Sequence, residues 1–181
     1  WEVTQAFKMN NNKNTKHSFN PSILRAYDIR GVLKETLFEE DAIAIGRSFG
    51  SIVIRNSGTT VAVAYDGRHS SPLMQDALVA GLVETGIEVI SIGCGPTPML
   101  YFGVHYLNAD AGIMITGSHN PPNYNGFKFM LGKKGFYGED IQKLGDLSKQ
   151  GNFCKGNGKK TVLDISDSYI NRLIKDVDIS P

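Results

Sequence analysis

Short β-rich apolar runs alternate along this chain with segments whose apolar residues recur at helical spacing. Val61-Ala62-Val63-Ala64-Tyr65, Ile87-Glu88-Val89-Ile90-Ser91-Ile92 and Ala111-Gly112-Ile113-Met114-Ile115-Thr116 are the runs. Each is too short for a helix and is bounded by turn residues, as expected of buried strands. Between residues 39 and 54, Ile45, Phe49, Ile52 and Val53 fall on one helical face, and Met74, Ala77, Leu78, Gly81 and Leu82 repeat the pattern. Phe127-Lys128-Phe129-Met130-Leu131 reads as a further strand and residues 138 to 147 as a closing helix. Alternation of this kind predicts an α/β fold, a layered sheet with crossover helices.

The length and charge narrow the partners. At 181 residues, 41% of them hydrophobic, the chain can bury one full core and carry a piece of something else. Nineteen Lys and Arg against eighteen Asp and Glu leave a formal charge of +1, so no bulk field draws it to nucleic acid or an anionic membrane. No nucleic-acid or membrane partner is expected, and anion binding must be local. Cys94 and Cys154 form no C-x-x-C pair, which argues against a zinc site or a disulfide framework. No apolar run approaches the roughly 20 residues of a membrane span, and the first 19 residues hold no signal-peptide core. A cytoplasmic location is the expectation.

The chain divides by composition. Residues 1–20, with the run Asn10-Asn11-Asn12-Lys13-Asn14, are expected to be a disordered or engineered tail. Residues 21–150 carry the domain. Residues 151–161 are Gly-, Asn- and Lys-rich, the composition of an exposed linker. In residues 162–181, Ile170, Leu173, Ile174 and Val177 make an apolar helical stripe with no partner surface in the chain. It is expected to dock on a domain that is missing, or on a partner chain.

Chemistry concentrates in Thr116-Gly117-Ser118-His119-Asn120-Pro121-Pro122-Asn123-Tyr124-Asn125-Gly126-Phe127-Lys128. Ser118 stands just past a strand end among Gly, Asn and Pro, residues that fix turns by positive φ, side-chain-to-backbone bonds and a locked φ. Its hydroxyl should be exposed yet held still. On extended backbone, adjacent side chains point apart, so His119 beside Ser118 does not imply a nucleophile-base pair. His119 is expected to contact substrate or phosphate instead. Neither G-x-S-x-G nor G-x-x-x-x-G-K-[ST] occurs, and Pro98 breaks a G-x-G-x-x-G match beginning at Gly93.

This segment matches T-[GA]-S-H-N-P followed by N-G-x-K, and so resembles the phosphoserine loop of the α-D-phosphohexomutases. Arg25-Ala26-Tyr27-Asp28-Ile29-Arg30-Gly31 is similar to the amino-terminal motif of the phosphomannomutase/phosphoglucomutase branch. Asp66-Gly67-Arg68-His69-Ser70-Ser71-Pro72 and Gly95-Pro96-Thr97-Pro98 resemble two further family segments, in family order. The resemblance implies a layered mixed sheet, the first domain of a four-domain phosphohexomutase.

It also implies a mechanism. Ser118 would carry a phosphate, give it to a hexose monophosphate and take the other phosphate back from a hexose 1,6-bisphosphate, which also serves as activator. Lys128 and Arg30 would be the cations beside it. Tyr27, Asn120 and Arg68 are the candidates for binding substrate. Tyr27 lines the sugar site or packs, and Arg68 binds phosphate or builds the turn, where Ser70 and Ser71 look like N-caps and Pro72 suits the first helical turn. A magnesium ion would bridge the serine phosphate and the aspartates of a D-G-D-G-D-R loop in the second domain. That loop is absent from this sequence. Ser118 is then the one metal ligand here, through its phosphate, and the chain alone is expected to be inactive. Phosphoglucosamine mutase shares S-H-N-P and is the alternative enzyme, although Gly117 and the Pro122-Asn123-Tyr124 insert favour the mannose/glucose branch. A non-catalytic phosphosugar-binding module is the alternative outside catalysis.

Overall fold

The computed structural model describes residues 16–177. After one turn of 3-10 helix at Pro21–Ile23 come β1 (Ile29–Val32), α1 (Glu39–Arg55), β2 (Thr60–Tyr65), α2 (Ser71–Thr85), β3 (Glu88–Cys94) and α3 (Thr97–Tyr106). Then follow β4 (Ala111–Ile115), β5 (Tyr124–Leu131), β6 (Lys134–Phe136), α4 (Glu139–Gln150), β7 (Lys160–Val162) and α5 (Ser166–Asp176). All seven strands form one sheet in the order β1-β5-β4-β2-β3-β7, with β6 on β5. Strands β4, β2, β3 and β7 are parallel, whereas β5 runs antiparallel to β4, β1 and β6. The sheet is therefore mixed, and helices cross over between its parallel strands as the alternation requires.

Side-chain alternation sorts the strand residues between two cores. Val61, Val63, Ile113, Ile115, Phe127 and Phe129 join the helices α1, α2 and α4 in one cluster. Ala62, Ala64, Met114 and Met130 face the opposite way, into a smaller cluster with Met99, Leu100 and Val104 of α3. In the larger core Phe49, Phe129 and Phe136 form an aromatic triad with centroids 5.0 to 5.7 Å apart. Helices α1 and α2 cross with backbones almost touching. A Cβ at Gly46 would lie 2.2 Å from the Leu78 carbonyl oxygen, and one at Gly81 2.1 Å from that of Ile43.

Several expectations need correcting. The glycine-rich stretch expected as an exposed linker is exposed over much of its length, yet it is not free: it runs along the C-terminal end of α2, where the N–H groups of Gly156 and Gly158 donate to the carbonyls of Glu84 and Val83 at 2.9 and 2.8 Å. Lys160–Val162 then pairs with β3. Here glycine serves close approach and not flexibility, since a Cβ at Gly158 would sit 1.9 Å from the Ile87 oxygen. The expected tail lies outside the described residues up to residue 15, but its last residues are docked. Phe19 is buried, His17 Nε2 lies 2.6 Å from Asp41 Oδ1, and the Ser148 hydroxyl donates to the His17 carbonyl. Ser70 makes no side-chain cap to α2, and the Ser71 hydroxyl is engaged by Asp66. Pro72 does fall in the first turn.

On α5, Ile170 and Ile174 are 50% and 60% exposed. No helix among the described residues is long and apolar enough to cross a membrane.

Candidate functional site

Strands β2 and β4 end side by side, Tyr65 opposite Ile115, and the chain leaves each into a turn. Asp66 follows β2 and ties the two turns together. Its Oδ1 accepts from the Ser71 hydroxyl at 2.6 Å and the Arg68 N–H at 3.2 Å; its Oδ2 accepts from Arg68 Nε at 3.1 Å and the Gly117 N–H at 3.2 Å. Burial alone would push this carboxyl up. Hydrogen bonds from the Ser71 and Thr116 hydroxyls and from the Arg68 and Gly117 N–H groups outweigh it and hold the pKa below the ordinary value. The Thr116 hydroxyl oxygen also accepts from the Ser118 N–H at 2.8 Å, so the serine backbone is anchored to the same network.

Arg68 holds the rest of the loop. Its Nη1 donates to the carbonyls of Pro121 and Tyr124 at 2.6 and 3.1 Å, and its Nη2 to those of Ser118 and Asn120 at 2.9 and 2.7 Å. With Nε on Asp66, every N–H of the guanidinium has a protein acceptor. The substrate-binding role expected of Arg68 is thus corrected: it has no donor left for a phosphate and acts as the loop's staple. Gly117 makes room for it, because a Cβ there would lie 2.4 Å from Arg68 Cζ. Asn120 turns inward, its Nδ2 donating to the Gly117 carbonyl at 3.0 Å.

At the centre, Ser118 adopts a left-handed backbone with φ 54°. That conformation is uncommon for a residue with a Cβ. It also overturns the assumption of extended backbone, because it brings Ser118 Oγ and His119 Nδ1 to 3.4 Å. The gap is longer than an effective hydrogen bond to a hydroxyl, yet the two groups face one space. Ser118 is half-buried and His119 exposed.

Cations stand on the neighbouring strands. In the antiparallel pair of β1 and β5, Arg30 lies opposite Gly126 and Ile29 opposite Phe127. Ile29 and Phe127 point into the larger core, so Arg30 and Lys128 point to the other face. There α3 packs on β2 and β4. The Arg30 and Lys128 side chains remain 18% and 27% exposed. Both meet Asp28: Lys128 Nζ lies 3.1 Å from its Oδ2, and Arg30 Nη2 donates to the same oxygen. Arg30 Nε is buried with no partner. The strands come this close because residue 126 is glycine; a Cβ there would lie 2.1 Å from the Ile29 oxygen.

Of the residues named from sequence, Ser118, His119 and Asn120 share the loop after β4, and Lys128 and Arg30 share an ion cluster on β5 and β1. Tyr27 points outward at 76% exposure, its ring 6.2 Å from that of Tyr137. Sequence reasoning passed over Asp28, although it stood inside a quoted motif, an acid two residues before an arginine on a strand. It also passed over Asp66 as the organiser of both turns. Among the described residues no three His, Cys, Asp or Glu side chains gather as a metal site. The described residues alone therefore do not fit a resident metal ion.

Three comparisons bear on this geometry. The sequence profile of the family described as phosphoglucomutase/phosphomannomutase, alpha/beta/alpha domain I, matches residues 21–153. A phosphomannomutase/phosphoglucomutase of Pseudomonas aeruginosa is 41% identical over 156 residues, 86% of this chain and 34% of the relative. A Thermococcus gammatolerans protein named "Probable phosphoglucosamine mutase" is 41% identical over 128 residues, 70% of this chain and 28% of the relative. The crystal structure of a phosphoglucomutase/phosphomannomutase family protein from Burkholderia thailandensis superposes with a TM-score of 0.86 at 40% identity, covering 90% of this chain and 37% of that one. This chain spans about a third of the length of these relatives.

Proposed function

This chain belongs to the phosphoglucomutase/phosphomannomutase family, as its α/β/α domain I, and we propose that within a longer protein it interconverts hexose 1-phosphates and hexose 6-phosphates through phospho-Ser118. In this reading the phosphoryl group passes from Ser118 Oγ to the free hydroxyl of a hexose monophosphate. The serine O–P bond breaks, the sugar O–P bond forms, and Oγ regains the proton that the sugar hydroxyl gives up. The hexose 1,6-bisphosphate reorients and returns its other phosphate to Oγ. The bisphosphate also serves as activator by phosphorylating Ser118.

Catalysis of this kind is mostly positioning and neutralisation of charge on the phosphoryl oxygens. Lys128 and Arg30 supply the charge, His119 contacts the phosphate or the substrate, and Asn120 and Tyr27 border the sugar. One observation carries the proposal: a serine hydroxyl held in a left-handed turn by Arg68 and Thr116, at the end of a strand adjoining the one that bears Lys128.

Magnesium is proposed for the longer protein, with Ser118 or its phosphate as one ligand. No other ligand is assigned among the described residues, and no step above passes through the metal. The first domain is proposed to include β7 at Lys160–Val162, and the opening of a second is proposed beyond that strand. The 181-residue chain by itself is expected to lack turnover.

The test is Ser118→Ala in the full-length protein, with tandem mass spectrometry of the wild type. Phosphate on Ser118 that leaves on adding hexose monophosphate, together with loss of turnover in the variant, supports the reading. Near-normal turnover of Ser118→Ala sinks it. The Thermococcus relative's name favours a second reading, phosphoglucosamine mutase. Comparing kcat/KM for glucosamine and glucose or mannose phosphates on the full-length protein separates the two.

A further inference from the structure

We propose that Asp28 is a positioning residue of the phosphoryl-transfer site, the anion that fixes Arg30 and Lys128 as one rigid pair of cations; this rests on the proposed role of those cations. The two side chains come from different strands, separated by nearly a hundred residues, and one oxygen, Asp28 Oδ2, accepts from both. Two like charges on one sheet face repel, and a lysine on its four-carbon stem has many rotamers. A shared carboxylate oxygen removes both problems. It offsets the repulsion and gives the ammonium one address.

A purely structural ion pair clasping β1 to β5 is the competing account. Two observations weigh against it. The strands are already joined by a four-residue register from Ile29↔Phe127 to Val32↔Tyr124, and Gly126 lets them approach without help from charges. In addition, Arg30 is held by Nη2 while its Nε, also buried, has no partner. A buried N–H without an acceptor is unfavourable and persists where something outside the protein completes it. Arg30 thus has Nη2 on Asp28 and a buried Nε without an acceptor, donor capacity that an anionic oxygen can take up. Asp28 itself is only 5% exposed, so its charge acts on the two cations and little on solvent.

The experiment uses the full-length enzyme and the variants Asp28→Asn, Lys128→Met and the double variant. Asp28→Asn keeps shape and an acceptor oxygen while removing the charge. It is expected to lower kcat about tenfold or more with a smaller change in KM, since the cations act on charge developed in the transition state. It is also expected to have a clearly smaller effect in the Lys128→Met background than in the wild type, because the part of its action that runs through Lys128 is already lost there. A kcat within about twofold of wild type overturns the proposal, and so do effects that simply multiply in the double variant. If Asp28→Asn does not fold, Asp28→Glu keeps the charge and displaces the oxygen. A clear fall in kcat is then expected, and an unchanged kcat overturns the proposal. The phosphoserine reading stands or falls separately, on Ser118→Ala in the same preparations.

Discussion

The Arg68 guanidinium donates to the main-chain carbonyl of Ser118 at 2.9 Å, fifty residues along the chain. The residue proposed to carry phosphate is therefore set in place by an arginine that binds no ligand itself. Four loop carbonyls depend on that planar fork. An ammonium at the same place has fewer donors in the wrong geometry. Arg68→Lys is expected to cost about 2 kcal/mol of stability, from carbonyls left unpaired, and to make the 117–123 loop cleavable by protease. Urea midpoints and limited proteolysis measure both, and a wild-type cleavage pattern would mean that the loop holds itself.

Acid should act through Asp66. Its folded-state pKa lies below the ordinary value of 3.8, so the stability it contributes is present above that value and is lost as pH falls through the folded pKa. Asp110, held down by the Thr59 N–H first and by Thr60 as well, loses its contribution in the same window. Asp66→Asn is expected to flatten the acid limb of the stability curve below about pH 4 while lowering stability near neutrality. Urea melts between pH 2.5 and 7 test this. An acid limb identical to that of the wild type would place the acid sensitivity elsewhere.

Gly126 should tolerate no side chain. A Cβ at 2.1 Å from the Ile29 oxygen and 3.0 Å from Arg30 Cα must push β1 off β5. Gly126→Ala is expected to destabilise by about 3 kcal/mol and, in the full-length protein, to reduce turnover through the displaced Arg30. Thermal melts and kcat report the two effects. If stability falls while kcat stays, Arg30 does not depend on the seating of β1.

The glycine-rich stretch after α4 gives a fourth prediction. Gly158→Ala should lift the segment from the end of α2 and release β7. Hydrogen exchange should then accelerate at the Val89 and Leu163 amides, which donate to the Lys159 and Ser91 carbonyls. Unchanged protection would return the stretch to the status of a free linker.

Part of this architecture is legible in the sequence and part is not. Helical spacing around Ile45 and Phe49, and around Met74 and Leu78, located α1 and α2 because burial imposes a period that sequence records directly. The runs at Val61 and Ala111 became β2 and β4 for the same reason. What escaped notice depends on where the chain returns. The glycines at 156 and 158 have a linker's composition, and only the proximity of Gly86 and Ile87 reveals them as packing positions. Asp28 was visible as a letter in a motif, but its two partners are set by the β1–β5 register. The positive φ of Ser118, which turns its hydroxyl toward His119, has no sequence signal at a residue other than glycine.

Strand β1 is made first and its ladder partner β5 is made after α1, α2 and α3 and the parallel strands between them. During synthesis, the Asp28–Arg30 pair lacks its third member until Lys128 has left the ribosome. The cation cluster can therefore close only after the rest of the sheet has a place for β5 to add to, and a nascent chain stalled before residue 124 would expose the edge of β4 in its stead. The cluster thus joins the first strand made to one made nearly a hundred residues later, while β6, α4 and β7 still remain to be added.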